Sequence, residues 1–278
     1  MRVVTFRTDA SGPDRVGRIE GASVVELSAP SMTAWLEGEG RADAGPRHDL
    51  SAVVLQAPVP VPPVYRDFLT YENHAKTALA AVTGGAFELP VYWYELPAFY
   101  YGNTQCFVGP GAPVRRPAGV EWLDFELEVA AITDGDGELA GFTMFNDWSA
   151  RDVQRREATV GLGVHKSKDF ANSIGPWLVT PDELDYHDGK LRLEATVEVN
   201  GAVVVEANTL DQHFTWPQML AHAGRDTRLP AGAVLGSGTM SGGSLVERGA
   251  VEHGNWLQPG DVVTISATGL GSLTNPIV

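Results

Sequence analysis

The 278-residue sequence predicts a mainly β protein of the α+β class, with a small β-rich N-terminal domain at 1–60 and a larger domain at 61–278. Three observations predict it. Short runs of alternating polar and apolar residues fill the first 56 positions. An Asn-Gly hairpin signature and further strand runs occupy the C-terminal half. Helical stretches between strands are too few for a regular βαβ arrangement.

The elements follow in order. Arg2-Val3-Val4-Thr5-Phe6, Arg15-Val16-Gly17-Arg18-Ile19 and Ser23-Val24-Val25-Glu26-Leu27 read as small strands. Residues 57–64, Ala-Pro-Val-Pro-Val-Pro-Pro-Val, admit neither helix nor central strand, because each proline lacks an N–H, and they mark the domain boundary. A helix is expected from about Asp67 to Thr83, closed by Gly84-Gly85. After a long turn-rich stretch, 121–133 form a strong strand signal and 147–158 look helical. Between them, Gly135, Gly137 and Ala140 formally fit the dinucleotide pattern Gly-x-Gly-x-x-Ala. No helix pattern follows, so Thr133-Asp134-Gly135-Asp136-Gly137 reads as a hairpin turn. Asn200-Gly201 marks a two-residue hairpin, and Gly260 to Ser266 is a last strand.

The formal charge of −15 would repel a phosphate backbone, which argues against nucleic-acid binding. No stretch approaches the roughly 18 apolar residues of a membrane span, and the N-terminal apolar run is too short for a signal peptide, so a cytoplasmic protein is expected. The single cysteine, Cys106, excludes an internal disulfide and thiolate zinc sites, and its apolar flanks predict a buried packing residue. No Gly-x-Ser-x-Gly elbow, His-Glu-x-x-His or phosphate-binding glycine loop is present.

Three groups of polar residues need explaining. Asp124, Glu126 and Glu128 alternate with Phe125, Leu127 and Val129, so on a strand the acids share one face. Two carboxylates about 4 Å apart repel by roughly 4 kcal/mol at an effective dielectric near 20, so three together need water or a cation. Spacing alone favours a solvated strand face; a hard-cation site is the alternative. On a helix, Asp147, Arg151 and Gln154 would fall on one stripe, either as a capped, wet ion pair or as a site. Asp67 and His74 stand about two helical turns apart, and each alone reads more simply as an N-cap and an exposed helix residue.

Taken in order, these segments resemble the fumarylacetoacetate hydrolase family across most of the chain after the Pro-rich segment. Asp67-Phe68 with His74 resembles the family's first metal carboxylate and catalytic histidine. Leu96-Pro97 with Tyr100 and Gly102, then Gly111 to Pro117, resembles the loop and strand leading into the site. Asp124-Phe125-Glu126-Leu127-Glu128 matches its Asp-aromatic-Glu-x-Glu element, and Asn146-Asp147-Trp148-Ser149-Ala150-Arg151-Asp152-Val153-Gln154 its most recognisable motif. Lys166-Ser167-Lys168-Asp169-Phe170 with Ile174-Gly175-Pro176-Trp177 looks like the lysine segment. Gly238-Thr239-Met240-Ser241-Gly242-Gly243-Ser244-Leu245-Val246-Glu247 looks like the Gly-Thr-x-Ser-Gly element and its glutamate. Two lysines compete: Lys168 keeps the Lys-x-Phe pattern and Lys166 is the alternative. The loop from Ser241 to Ser244 is shorter than in the hydrolase that names the family, and Leu69 stands where that enzyme has a tyrosine near substrate.

The resemblance implies a mixed β-sandwich roll with a catalytic domain at 61–278. It implies a metal-dependent enzyme that hydrolyses a carbon–carbon bond of a 1,3-dicarbonyl acid, an acylpyruvate or a fumarylacetoacetate-like compound. Decarboxylation, hydration and isomerisation through the same enolate are the alternatives, with a non-catalytic ligand-binding member further off. By this resemblance Asp67, Glu126, Glu128 and Asp147 bind metal, and an all-carboxylate set suits Mg²⁺ first, then Ca²⁺ or Mn²⁺. His74 is the base for water, as an imidazole ordinarily titrates near neutrality, and Glu247 orients it. Arg151, Gln154 and Lys168 face the developing oxyanion. Tyr100 and Thr239 are further substrate contacts, and a homodimer is expected.

Overall fold

The computed structural model describes residues 1–85 and 87–278. Its centre is one large mixed sheet. In spatial order the strands are Asp43–Asp49, Ser23–Leu27, Arg15–Glu20, Arg2–Arg7, Asn172–Val179, Leu139–Asp147, Leu127–Thr133, Val234–Gly236, Tyr65–Phe68 and Phe99–Tyr101. The N-terminal strands extend this sheet, because Arg2 and Val3 pair with Val179 and Leu178. A second, antiparallel sheet holds Ala202–Asn208, Glu194–Val199, Val262–Ala267 and Gly271–Pro276. Strands thus dominate, as expected for a mainly β sandwich.

The centre of the large sheet is buried on both faces. Leu127, Val129 and Ala131 join Phe142 and Met144 in an apolar layer that packs on Val197, Val263, Ile265 and Leu273 of the second sheet. Ala130, Ile132, Phe145 and Ile174 point the other way, onto Val3, Met32 and Trp35. The period-two alternation of a central strand therefore separates two cores rather than core from water.

Both turn assignments hold. Asn200 and Gly201 have φ of +54° and +79°, the left-handed pair that a tight hairpin requires. Asp134 accepts N–H bonds from Asp136 and Glu138 at 3.0 and 2.9 Å and turns the chain directly into the strand Leu139–Asp147.

Several local expectations are corrected. The helix expected from Asp67 starts at Glu72 and ends at Thr83, where Gly84 takes φ +82°. Asp67 lies on a strand, opposite Gly236 and Tyr100, because pairing with distant strands overrides local helix signals. The helix expected over 147–158 is Arg151–Ala158, and Asp147 ends a strand opposite Asn172. Asp147, Arg151 and Gln154 therefore share no helical stripe. The strand expected over 121–133 breaks into Leu123–Asp124 and Leu127–Thr133. Cys106 is half-buried rather than a fully buried packing residue; burial still pushes its thiol up to about 11. A further helix, Trp216–Gly224, is marked by signals the sequence does carry: Pro217, and a capping box between Thr215 and Gln218. Among the described residues no helix is long and apolar enough to cross a membrane.

Candidate active site

Asp67, Glu128 and Asp147 come from three strands of the large sheet. Each keeps the side-chain parity of a core neighbour, Tyr65, Ala130 and Phe145 respectively, so all three project from the same face near the strand ends. Gly236 pairs with both Asp67 and Ala130 and lies between the two carboxylates. A Cβ there would stand 2.2 Å from Asp67 Oδ1 and 3.1 Å from Glu128 Oε2, so only glycine lets the two acids close. The Gly238 N–H donates to Glu128 Oε2 at 3.0 Å and to Asp67 Oδ1 at 3.3 Å. Glu126 enters from the strand break, where its N–H donates to Asn146 Oδ1 at 2.9 Å. One oxygen from each of Asp67, Glu126, Glu128 and Asp147 lies within 4.8 Å of the others, and all four residues are buried. Gly236→Ala should therefore weaken Mn²⁺ binding by roughly 10–100-fold, the usual loss when the support of metal ligands is disturbed. Unchanged affinity in titration calorimetry would contradict this account of the glycine.

Asp124 plays a separate part. The break turns it away from the cluster, where it accepts the Arg151 Nε–H at 2.9 Å and the N–H groups of Leu245 and Val246 at 2.8 and 3.1 Å. Arg151 also donates to Gln154 Oε1 at 3.0 Å. Its Nη2 lies 2.8 Å from Glu126 Oε1, a second buried ion pair. Lys168 Nζ bridges Glu126 and Asp147 at 2.5 and 2.6 Å. Lys166 is exposed and pairs with Asp169, so of the two candidate lysines only Lys168 reaches the cluster.

Among the described residues, five buried carboxyls here meet two fixed cations, Lys168 and Arg151. Burial, then neighbouring negative charge, drives Glu128 and Asp67 well above the usual carboxylate range. Burial also raises Asp147, against the pull of Lys168. Burial acts on Glu126 too, but Lys168 and Arg151 outweigh it and hold that acid low. Acids raised in the fold bind protons more tightly there than in the unfolded chain. Their contribution to stability is therefore present below about pH 4 and is lost as pH climbs through the folded values. The melting temperature of metal-stripped protein should fall over that span, and Glu128→Gln should flatten the fall. An unaltered slope in that variant would contradict the crowding.

His74 sits on the helix Glu72–Thr83 with Nδ1 2.8 Å from Glu247 Oε2, while Nε2 lies 3.8 Å from Glu126 Oε1. Glu247 is fixed by the Gly242 N–H at 2.8 Å and the Ser244 hydroxyl at 2.7 Å. Burial raises this carboxyl, but His74 and these donors overcome it and keep it below its ordinary range. An ionised Glu247 accepts a hydrogen bond from Nδ1–H, which leaves Nε2 as the acceptor facing the cluster.

Asp67, His74, Tyr100, Glu126, Glu128, Asp147, Arg151, Gln154, Lys168 and Thr239 line one cavity of about 310 Å³, whereas Asp124 and Lys166 lie outside its lining and Glu247 stands behind His74. The Tyr100 hydroxyl donates to Asp147 Oδ2 at 2.8 Å and meets the Tyr65 hydroxyl at 3.0 Å, so it is committed to the cluster. Thr239 Oγ1 lies 3.4 Å from Glu128 Oε1. Sequence reasoning missed Gly236, Tyr65 and Asn172, whose amide, turned to suit its neighbours, donates to Asp147 Oδ1 at 2.9 Å. A glycine inside a strand is a signal of close approach that could have found Gly236; nothing local marks Asn172.

The donor set is all carboxylate oxygen, and its excess negative charge calls for a hard divalent ion, so the residues fit such a metal. The family model described as fumarylacetoacetate (FAA) hydrolase C-terminal matches residues 63–278. A fumarylacetoacetase of Arabidopsis thaliana is 28% identical over 307 aligned residues, covering 83% of this chain and 72% of that protein. Further fumarylacetoacetases are covered over only 54% to 65% of their length. Among solved structures, 2-hydroxyhepta-2,4-diene-1,7-dioate isomerase from Mycobacterium marinum has a TM-score of 0.74 at 24% identity, covering 100% of this chain and 98% of that one. Maleylpyruvate hydrolase from Sphingobium sp. SYK-6, in complex with manganese(II) ion and pyruvate, has a TM-score of 0.71 at 19% identity, covering 100% and 99%. These structures share the fold, and their names cover both hydrolysis and isomerisation. With the family model spanning the chain from residue 63 to its last residue, and with the mixed sheet and acidic cluster in place, this protein belongs to the fumarylacetoacetate hydrolase family.

Proposed function

We propose that this protein is a divalent-metal-dependent hydrolase that cleaves a carbon–carbon bond of a 1,3-dicarbonyl acid of the acylpyruvate type. The observation that carries this reading is the His74–Glu247 pair, with the free Nε2 of His74 turned toward the carboxylate cluster. Mere binding, or simple decarboxylation, has no use for a base oriented to activate water.

A divalent ion held by Asp67, Glu126, Glu128 and Asp147, with Mg²⁺ the first choice and Mn²⁺ supported by the Sphingobium relative, would polarise the dicarbonyl and offset the charge of the departing enolate. His74 Nε2 takes a proton from water as the water oxygen bonds to the acyl carbonyl carbon. Arg151, Gln154 and Lys168, which line the same cavity, donate to the oxyanion formed there. The bond between that carbon and the methylene carbon then breaks, and its electron pair passes to the pyruvate enolate. The imidazolium returns its proton to that enolate, giving pyruvate and a carboxylic acid.

A small panel of acylpyruvates tests the reading by loss of enol ultraviolet absorbance, with and without EDTA. Mass analysis should find pyruvate and the matching acid in equal amounts, formed only with metal present. Turnover that survives complete metal removal, or a product that is isomerised or hydrated but uncut, would overturn it.

A further inference from the structure

The cavity is polar at one end only. Its acids, Arg151, Lys168 and His74 gather at the strand ends, while the rest of the lining includes Leu69, Ala75, Ala78, Leu79, Phe99 and Val164. Ala78 lies one turn beyond His74 on the same helix face, and Ala75 and Leu79 line the same cavity, so the apolar wall begins beside the base. Among the described lining residues, Arg151 and Lys168 are the only lysine or arginine, and both are already held by Asp124, Glu126 and Asp147. A substrate whose pyruvate end lies at the carboxylate cluster must extend its acyl group along this wall.

From this we infer that the acyl group is an uncharged alkyl or aryl tail, and that acids with a second, terminal carboxylate are poor ligands; the inference rests on the acylpyruvate reading above. A terminal carboxylate would lose part of its water against Ala78 and Leu79 with no free cation to receive it. An alkyl tail gains from the same burial. The site would thus discriminate against a terminal dioate of the kind named for the Mycobacterium marinum isomerase.

Cleavage of acylpyruvates with straight alkyl tails of increasing length should show kcat/KM rising roughly threefold to fourfold per methylene until the wall is filled, the factor set by burying a methylene group. The dioate of matching length should be at least about tenfold worse. Leu79→Arg should shift the preference toward the dioate, and Leu79→Ala should flatten the gain per methylene. A dioate cut as well as, or better than, its alkyl counterpart would overturn the inference while leaving the hydrolase reading intact. If no acylpyruvate is cut, the hydrolase reading falls. Calorimetry with Mn²⁺-loaded protein then decides the tail separately, using 2-oxooctanoate against 2-oxoheptanedioate, which lack the second carbonyl. Tighter binding of the alkyl acid supports the apolar wall as the recognition element, and equal or tighter binding of the dioate refutes it.

Discussion

His74→Ala should lower kcat by roughly three orders of magnitude while the bound metal content stays the same, since a positioned general base contributes about 10²–10⁴-fold. The separation of effects follows from geometry. His74 contributes no oxygen to the carboxylate cluster, and its Nε2 stands 3.8 Å from the nearest acid. Its loss removes the proton acceptor and leaves all four acids in place. Glu247→Gln provides the companion test. The ring remains, but the partner that holds the proton on Nδ1 and steadies the imidazolium is weakened, so kcat should fall by roughly 10²-fold or more. The loss should sit in kcat rather than KM, because Glu247 lies behind the histidine, outside the cavity lining. A His74→Ala enzyme within tenfold of the parent, with normal metal content, would remove the base assignment.

The second large effect concerns the acids. Glu126→Gln combined with Glu128→Gln should weaken metal binding by roughly 100-fold or more and abolish turnover with it. The single variants should differ in sign when stability is measured without metal. Glu128 is the most crowded acid, surrounded by Asp67, Glu126 and Asp147, so Glu128→Gln relieves repulsion and should raise the melting temperature. Glu126 holds Lys168 and faces Arg151, so Glu126→Gln should cost about 1–3 kcal/mol by weakening the pairing of two buried cations. If both singles shifted stability the same way by the same amount, the electrostatic account of the cluster would be wrong.

Much of this site is legible in the amino-acid order, and the limits have physical causes. The acids of the cluster can be named because Asp124-Phe125-Glu126-Leu127-Glu128 and the Asn146 segment resemble the family's motifs; their spacing alone favours a solvated strand face. Their placement is not legible in this way. Asp67 looks like the start of a helix until a strand some 170 residues later, Val234–Gly236, pairs with it. Asp124 shares the alternation of Glu126 and Glu128 yet serves Arg151, because the strand breaks between them. The acids also looked like a wet face. A period-two pattern separates two faces without saying that one is water, and here both are buried. The apolar wall beside His74 is hidden too: Ala75, Ala78 and Leu79 read as ordinary core-facing helix residues until the fold brings them into one cavity lining with Val164.

The central claim is that four acids remote in sequence grip one hard ion. Diffraction from crystals grown with Mn²⁺, at a wavelength where manganese scatters anomalously, tests it directly. The account predicts a single strong peak per chain, at about 2.0–2.6 Å from oxygens of Asp67, Glu126, Glu128 and Asp147. A manganese peak elsewhere, with these four carboxylates bonded only to protein or water, would contradict it.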